Sequence, residues 1–314
     1  ANAPNVALFR GAATYQQPLP ALPSFGLEPK LAASYSSASA ESNFLQTSEP
    51  AMKYQLGRGW SMELPHIAQL VKRDFFLGNP PEEGWRKGFE TEARGNFTLV
   101  MNGMSVGLKP TSVNGEYVTD DSQALRIVRC AKASPCAGAD QLPGISHSGT
   151  DWDSGELEYW QVWTPDGTRH VFGSETTSRG TVQDWDYNWC WNGTTAPGCG
   201  STWNGKMIGM VWMLRRVYAP DRDLLSASVD RWGAEYQYTK TIETGSRCAM
   251  ANWNTQICGN QDDPRIRPYR IVYGNSLLGA SERYTVTFEY GSSRDMLTSV
   301  TAFGPGNRPA ARAR

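Results

Sequence analysis

The sequence predicts an all-β protein of meandering antiparallel hairpins that form large curved sheets, a shell or barrel-like wall. It also predicts minimal helix and three disulfide-stapled loops. Three observations predict this. Trp (12), Tyr (13) and Gly (31) are plentiful beside Thr and Val, a mixture that suits strands joined by tight turns better than helices. Short runs that alternate with period two recur along the chain, separated by turn signals. The six cysteines fall into three local couples, each bracketing polar, turn-forming sequence.

Residues 1–25 are rich in Ala and Pro, with Pro18, Pro20 and Pro23, and read as an extended arm. The opening Ala1-Asn2-Ala3-Pro4 looks like a chain trimmed after a small-residue cleavage site. At Gly26-Leu27-Glu28-Pro29 a corner leads into a short strand ending Tyr35-Ser36-Ser37. A polar insert follows, and 49–57 is the best helix candidate. Gly57 and Gly59 then flank the approach to Trp60. Glycines beside a large ring suit a place where one strand crosses closely over another and the ring fills the gap.

Residues 96–108 read as a hairpin turning at Asn102-Gly103, the strongest short-range hairpin signal. A second hairpin runs through 157–163 and returns over 168–173, with Asp166-Gly167 supplying the positive-φ turn. Tyr159, Gln161 and Trp163 share one face; Trp160 and Val162 share the other. Both faces carry apolar groups, so this pair is expected to be buried on at least one side and partly covered on the other. Further strands are expected at 212–218, 234–240, 269–273 and 284–290. The domain reading is an arm over 1–25, one all-β domain over 26–303 with a subdivision near 110–150, and a flexible linker or cleavage remnant over 304–314.

At 314 residues the chain can bury a large core. Its net charge of -1 and pI near 6.4 leave no basic footprint for nucleic acid and no polybasic patch for anionic lipid. No apolar run approaches the ~18 residues of a membrane-spanning helix. The couples Cys130/Cys136, Cys190/Cys199 and Cys248/Cys258 are placed to staple hairpin tips, each closure contributing roughly 2.5–3 kcal/mol. Zinc fails on spacing, because no C-x-x-C occurs and the chain has only three His. Three disulfides place the protein outside the reducing cytosol, secreted or extracytoplasmic, at the cell surface or in the periplasm. The sequon Asn192-Gly193-Thr194 lies inside one such loop.

Chemistry candidates are few. Asp151, Asp153, Glu156 and Glu158 gather near Trp152 and Trp160, and read as a solvated loop and strand start, a calcium loop or a glycosidase carboxylate pair. Trp185, Trp189, Trp191, Trp203 and Trp212 crowd one segment. They read as the small core of an insert or as a surface for sugar or a partner. His66, His147 and His170 are scattered and read as packing or surface residues. Ser146-His147-Ser148 sets neighbours on one backbone, whereas a nucleophile needs its base across space. No phosphate-loop, nucleophile-elbow or zincin pattern occurs. The residues assign no catalytic group, cofactor or metal.

The order of these pieces resembles the Rhs/YD-repeat superfamily, best the SpvB-type N-terminal segment of toxin-complex and Rhs shell proteins, with teneurins more distant. The entry segment matches G-L-x-P-x-L-x-x-S-Y-S-S followed by G-x-G-W-S-L-x-x-x-x-I, except that Met62 stands at the leucine of the second motif. Residues 97–108 match F-x-L-x-L-N-G-x-x-x-x-L apart from Met101. Residues 159–173 match Y-W-x-V-x-x-x-D-G-T-x-x-x-F-G. The stretches 212–216 with 236–238, and 269–273 with 284–295, match the W-x-L-x-R, Y-x-Y and Y-x-I-x-Y patterns. Where the family has a D-x-x-G-N turn, this chain has Pro220-Asp221-Arg222-Asp223, and the disulfide-bracketed inserts are its own. The resemblance implies a non-enzymatic wall for cargo encapsulation or surface adhesion. It implies partners along open sheet edges: a C-terminal continuation of the chain or other protein chains. The competing readings are a secreted carbohydrate-binding module that takes polysaccharide on the Trp-rich insert, and a secreted glycoside hydrolase.

Overall fold

A computed structural model describes residues 5–7, 12–24, 28–37, 56, 59–62, 64–75, 89–121, 123–131, 136–137, 142, 158–183, 207–220, 233–252, 255–274, 283–291 and 296–313. The helix candidate at 49–57 lies outside these residues except for Leu56. The all-β expectation holds: eighteen strands and two short 3-10 turns make up the described secondary structure.

Four N-terminal strands form a small antiparallel sheet: β1 (Asn5–Ala7), β2 (Ala12–Pro18), β3 (Ala32–Ser36) and β4 (Trp60–Met62), paired in that order. Trp60 organises it. Its ring lies 6.0 Å from Tyr15 and 5.4 Å from Tyr35. The preceding Gly59, at φ 79, lets its carbonyl accept from the Ser36 amide at 2.9 Å. The arm is therefore extended and also partly paired.

The other fourteen strands form one antiparallel sheet. The first eleven residue blocks in it are β5 (His66–Phe75), β6 (Phe89–Met101), β7 (Met104–Pro110), β8 (Glu116–Thr119), β9 (Arg126–Cys130), β10 (Tyr159–Trp163), β11 (Arg169–Phe172), β12 (Arg179–Gln183), β13 (Met207–Tyr218), β14 (Ala234–Asn252) and β15 (Thr255–Tyr273). β16 (Tyr284–Tyr290), β17 (Leu297–Gly304) and β18 (Arg308–Ala313) complete it. Strand β13 is the branch point. Residues 211–213 pair with β5, and residues 214–218 pair with β11. That closes β5 to β11 and β13 into an eight-stranded barrel. Arg216 and Val217 also pair with β14, and from there β14 to β18 meander outward as a wing.

Turn chemistry fixes the local registers. Asn102 (φ 54) and Gly103 (φ 77) connect Met101 to Met104 with the two positive-φ residues of a type I′ turn. Gly173 needs its glycine for two reasons. Its φ is 68, and a Cβ there would run into the Trp212 ring and lie 2.9 Å from Arg179 Cγ.

The barrel is filled by side chains, as an eight-stranded barrel allows. Trp160, Val162, Phe172, Phe97, Leu99, Ile127 and Trp212 point inward and are buried. Phe97, Trp160 and Trp212 pack as a triangle with centroids 4.8, 5.9 and 5.8 Å apart. Alternation sends Tyr159, Val128, Val171 and Tyr218 to the outer face, where a second cluster forms under Cys130, Cys136 and Leu142. Tyr159 through Val162 are thus buried on both faces, as the doubly apolar pattern predicts.

Two stretches differ from expectation. Residues 308–313, read as a linker, form β18 on the edge of β17. Gly306 (φ 76) and Asn307 (φ 56) reverse the chain there, and an Arg/Pro/Ala run carries little strand signal of its own. Strands β14 and β15 are also longer than the alternating stretches at 234–240 and 269–273, at 19 residues each.

Candidate functional site

The described residues gather few chemically active groups, and no three or more His, Cys, Asp or Glu among them are placed to hold a metal. What the described residues present instead is a closed barrel, an ionic joint and strands at the ends of the sheet order.

A partly buried ion pair lies in the barrel wall. Alternation along β9 turns Arg129 inward beside Ile127. Its Nε donates to Glu158 Oε1 at 2.7 Å, and its guanidinium lies 4.8 Å from the Phe97 ring centroid and 5.6 Å from that of Trp160. Burial pushes the Glu158 carboxyl above its ordinary range, and the Arg129 charge pulls it part of the way back. The Glu158 carbonyl accepts from Trp212 Nε1 at 3.1 Å and Arg179 Nη1 at 3.3 Å. Glu158 is therefore a structural member of the barrel wall. Asp151, Trp152, Asp153 and Glu156 lie outside the described residues.

The outer face of β10 is sealed by the first cysteine couple. Cys130 and Cys136 form a disulfide with Cα atoms 5.1 Å apart. Gln161 Nε2 donates to Cys130 Sγ at 3.1 Å and to Cys136 Sγ at 3.5 Å, and its Oε1 accepts from Arg169. The Arg169 guanidinium stacks 5.1 Å from the Trp163 centroid, and Arg126 lies 4.3 Å from the same ring. The Gln161 amide thus bridges the disulfide and the Arg169 guanidinium on this buried face.

The joint between barrel and wing is ionic. Arg215 Nη2 meets Glu175 at 2.7 Å and Glu235 at 3.1 Å, and Arg216 Nη2 meets Glu235 at 3.2 Å. Gln237 Nε2 donates to Glu235 Oε2 at 2.8 Å. The arm straps across the wing: Tyr273 Oη accepts from the Leu22 amide at 2.8 Å and donates to the Leu22 carbonyl at 3.0 Å. Sequence reading missed Arg129, Gln161, Arg169 and the Arg215/Arg216 pair. The available signal was their place at buried-looking positions of otherwise apolar strands.

Of the other expected positions, Asp166 and Gly167 (φ 83) form the tip of the β10–β11 hairpin. The Thr164 hydroxyl, then the Thr168 amide and hydroxyl, donate to the Asp166 carboxylate and hold it below its usual range. His66 begins β5, its Nδ1 2.8 Å from the Leu64 carbonyl, and His170 lies in β11. Gly57, His147, Ser146, Ser148, Asn192, Cys190, Cys199, Trp185, Trp189, Trp191 and Trp203 lie outside the described residues. Cys248 and Cys258 stand directly opposite each other in the β14–β15 ladder.

The wing ends at β18, whose residues 308–312 are exposed. Beyond its short pairing with β13, β14 pairs with β15 alone among the described residues.

No protein-family model matches this chain, and no curated protein matches it. Among solved structures it is similar to TcdB2-TccC3, at 13% identity and a TM-score of 0.45 over 99% of this chain and 15% of that one. It is similar to the N-terminal domain of the effector protein SpvB from Salmonella typhimurium strain LT2, at 14% identity and a TM-score of 0.42 over 92% of this chain and 87% of that one. It is similar to the Photorhabdus luminescens Tc holotoxin pore, at 12% identity and a TM-score of 0.39 over 98% of this chain and 15% of that one. The chain spans about 15% of the toxin-complex chains that it matches.

Proposed function

We propose that this chain is a non-enzymatic segment of an extracytoplasmic β wall that encloses cargo or assembles at a surface. The observation that carries this reading is the architecture of the large sheet. A closed, solidly packed barrel anchors a wing of consecutive hairpins that runs out to exposed edges. Such edges favour strand-to-strand association with further protein, either a continuation of this chain or other chains. The motif resemblance supports the same reading. The Cys130–Cys136 disulfide supports an oxidising compartment.

The Cys248/Cys258 couple fits that compartment too. Pro264 opposite Ile242 has no N–H to donate, so that pair exchanges no hydrogen bonds, and strict alternation from there makes Cys248↔Cys258 another such pair. Pairs of this class bring Cα atoms to about 4.5 Å, inside the range a disulfide spans. We assign the second staple to this pair, with Cys190/Cys199 as the third.

The test is a native mass spectrum of the protein from its natural source. The wall reading expects a particle heavier than one 34.7 kDa chain, through a longer polypeptide or bound partners. A particle of a single 34.7 kDa chain would overturn it.

A further inference from the structure

The turn from β2 into β3 carries Pro18-Leu19-Pro20-Ala21-Leu22-Pro23-Ser24. Proline fixes its own φ and turns the residue before it toward extended backbone. Leu19 and Leu22 each precede a proline, so from Pro18 to Pro23 only Ala21 escapes the restriction. The segment is therefore extended before it meets anything. Pro20-Ala21-Leu22-Pro23 is a P-x-x-P sequence, the kind that docks preformed into aromatic-lined grooves. Residues 19–24 belong to no helix or strand. The loop is closed at its base by the Leu19 amide, which donates to the Leu31 carbonyl at 2.9 Å.

This loop lands on one end of the wing. Tyr273 closes β15, Tyr284 opens β16 directly opposite it, and Gly304 closes β17. The two tyrosine rings stack with centroids 5.5 Å apart and planes 21° apart. Tyr273 Oη accepts from the Leu22 amide at 2.8 Å and donates to the Leu22 carbonyl at 3.0 Å. It thus reads main chain, and it requires a residue with an N–H before the last proline. Leu22 and Ser24 lie directly over glycines: a Cβ at Gly304 would stand 3.7 Å from Leu22 Cδ1, and one at Gly274 would stand 3.7 Å from Ser24 Oγ. Leu19, Ala21 and Leu22 pack against the apolar core. Ser24 is 2% exposed, and its hydroxyl has no hydrogen-bond partner among the described residues. A buried hydroxyl left unpaired weakens its own seat, so the loop is an imperfect occupant.

We propose that the Tyr273/Tyr284 end of the wing is a binding groove for an extended proline-rich segment of a partner chain, held in cis by residues 19–24 of this one. The seated segment states the chemistry of the occupant. It is a P-x-x-P backbone with a non-proline residue on the Tyr273 hydroxyl, an aliphatic side chain over Gly304 and a small residue over Gly274. A partner with alanine at the Ser24 position keeps every one of these contacts and buries no unpaired hydroxyl. The tethered loop competes at a high effective concentration, so a partner takes the groove only by displacing it. The site does not depend on the wall reading.

The experiment replaces residues 20–30 by a short Gly/Ser turn in the otherwise full chain, with circular dichroism to confirm folding. Fluorescence anisotropy then follows a labelled peptide of residues 17–24. The emptied groove is expected to bind this peptide, and wild type to bind it about tenfold or more weakly. Tyr273→Phe keeps the ring stack and removes both hydrogen bonds, so in the emptied chain it should weaken binding about tenfold or more. The peptide carrying Ser24→Ala should bind at least as tightly, and the peptide carrying Leu22→Pro should not bind. A folded, emptied chain that ignores the peptide, or that binds it unchanged after Tyr273→Phe, would overturn the proposal. A wild-type dimer that the peptide dissociates would give the groove to the loop of a second copy and overturn the partner assignment. If the emptied chain fails to fold, hydrogen exchange on wild type decides. Peptide at roughly millimolar concentration should speed exchange of the Leu22 amide, and an unchanged rate would overturn the proposal.

Discussion

The barrel and the wing share one sheet but solve the problem of strand edges in opposite ways. The barrel removes its edges by closing on β13, and fills the inside with the Phe97, Trp160 and Trp212 rings. Among the described residues the wing keeps its edges. It relies on Pro264 and Pro268, on the Tyr273 hold over the arm, and on an Arg215/Arg216–Glu175/Glu235 joint. The difference teaches where rigidity and association divide in this chain. Closure gives the barrel a self-sufficient core, whereas the wing's strands end without closing among the described residues.

The largest expected effect lies inside the barrel. Trp160→Ala should cost about 3–5 kcal/mol in urea unfolding; a cost smaller than that of Phe288→Ala in β16 would break the comparison. Next is Gly173→Ala, which meets Trp212 and Arg179 from a positive-φ position. Overpacking and the strained backbone together should cost about 2–4 kcal/mol, read by the same unfolding curve.

Removing the Cys130–Cys136 staple by a double Cys→Ala change should cost about 2.5 kcal/mol, the low end of the range for so short a closed loop. Reducing agent should destabilise wild type by about that amount more than it destabilises the variant.

A pH effect sharpens the comparison further. Burial holds the His170 imidazole below its usual pKa, so unfolding takes up a proton once the unfolded His titrates. The stability it contributes is present above about pH 6.5 and is lost as pH falls toward the folded value. His170→Gln should flatten the fall in stability between pH 7 and pH 5; an identical fall in the variant would remove His170 from the account. The smallest effect belongs to the wing edge. Arg312 meets Glu289 at 2.9 Å with both side chains exposed, so Arg312→Ala should cost at most about 0.5 kcal/mol.

Local features were legible in the sequence. Asn102-Gly103 and Asp166-Gly167 announce their turns because few residues tolerate positive φ. The doubly apolar run 159–163 announces a strand covered on both faces. Closure was not legible, because period-two alternation fixes which face is buried and says nothing of the partner; β13 meets strands from distant parts of the chain. The full ribbon was hidden by the weakly alternating 241–252, and only the Cys248/Cys258 couple hinted that a hairpin tip lay there. Glu158 was flagged as one of four acids, yet its role depends on Arg129, which lies 29 residues earlier.

The most direct test of the closed-versus-open account is hydrogen exchange of the chain at monomeric dilution. Amides of β6, β10 and β13 should exchange only with global unfolding, while the outward amides at 240–250 and the edge strand β18 should exchange by local opening. Equal protection in the wing and the barrel would contradict it.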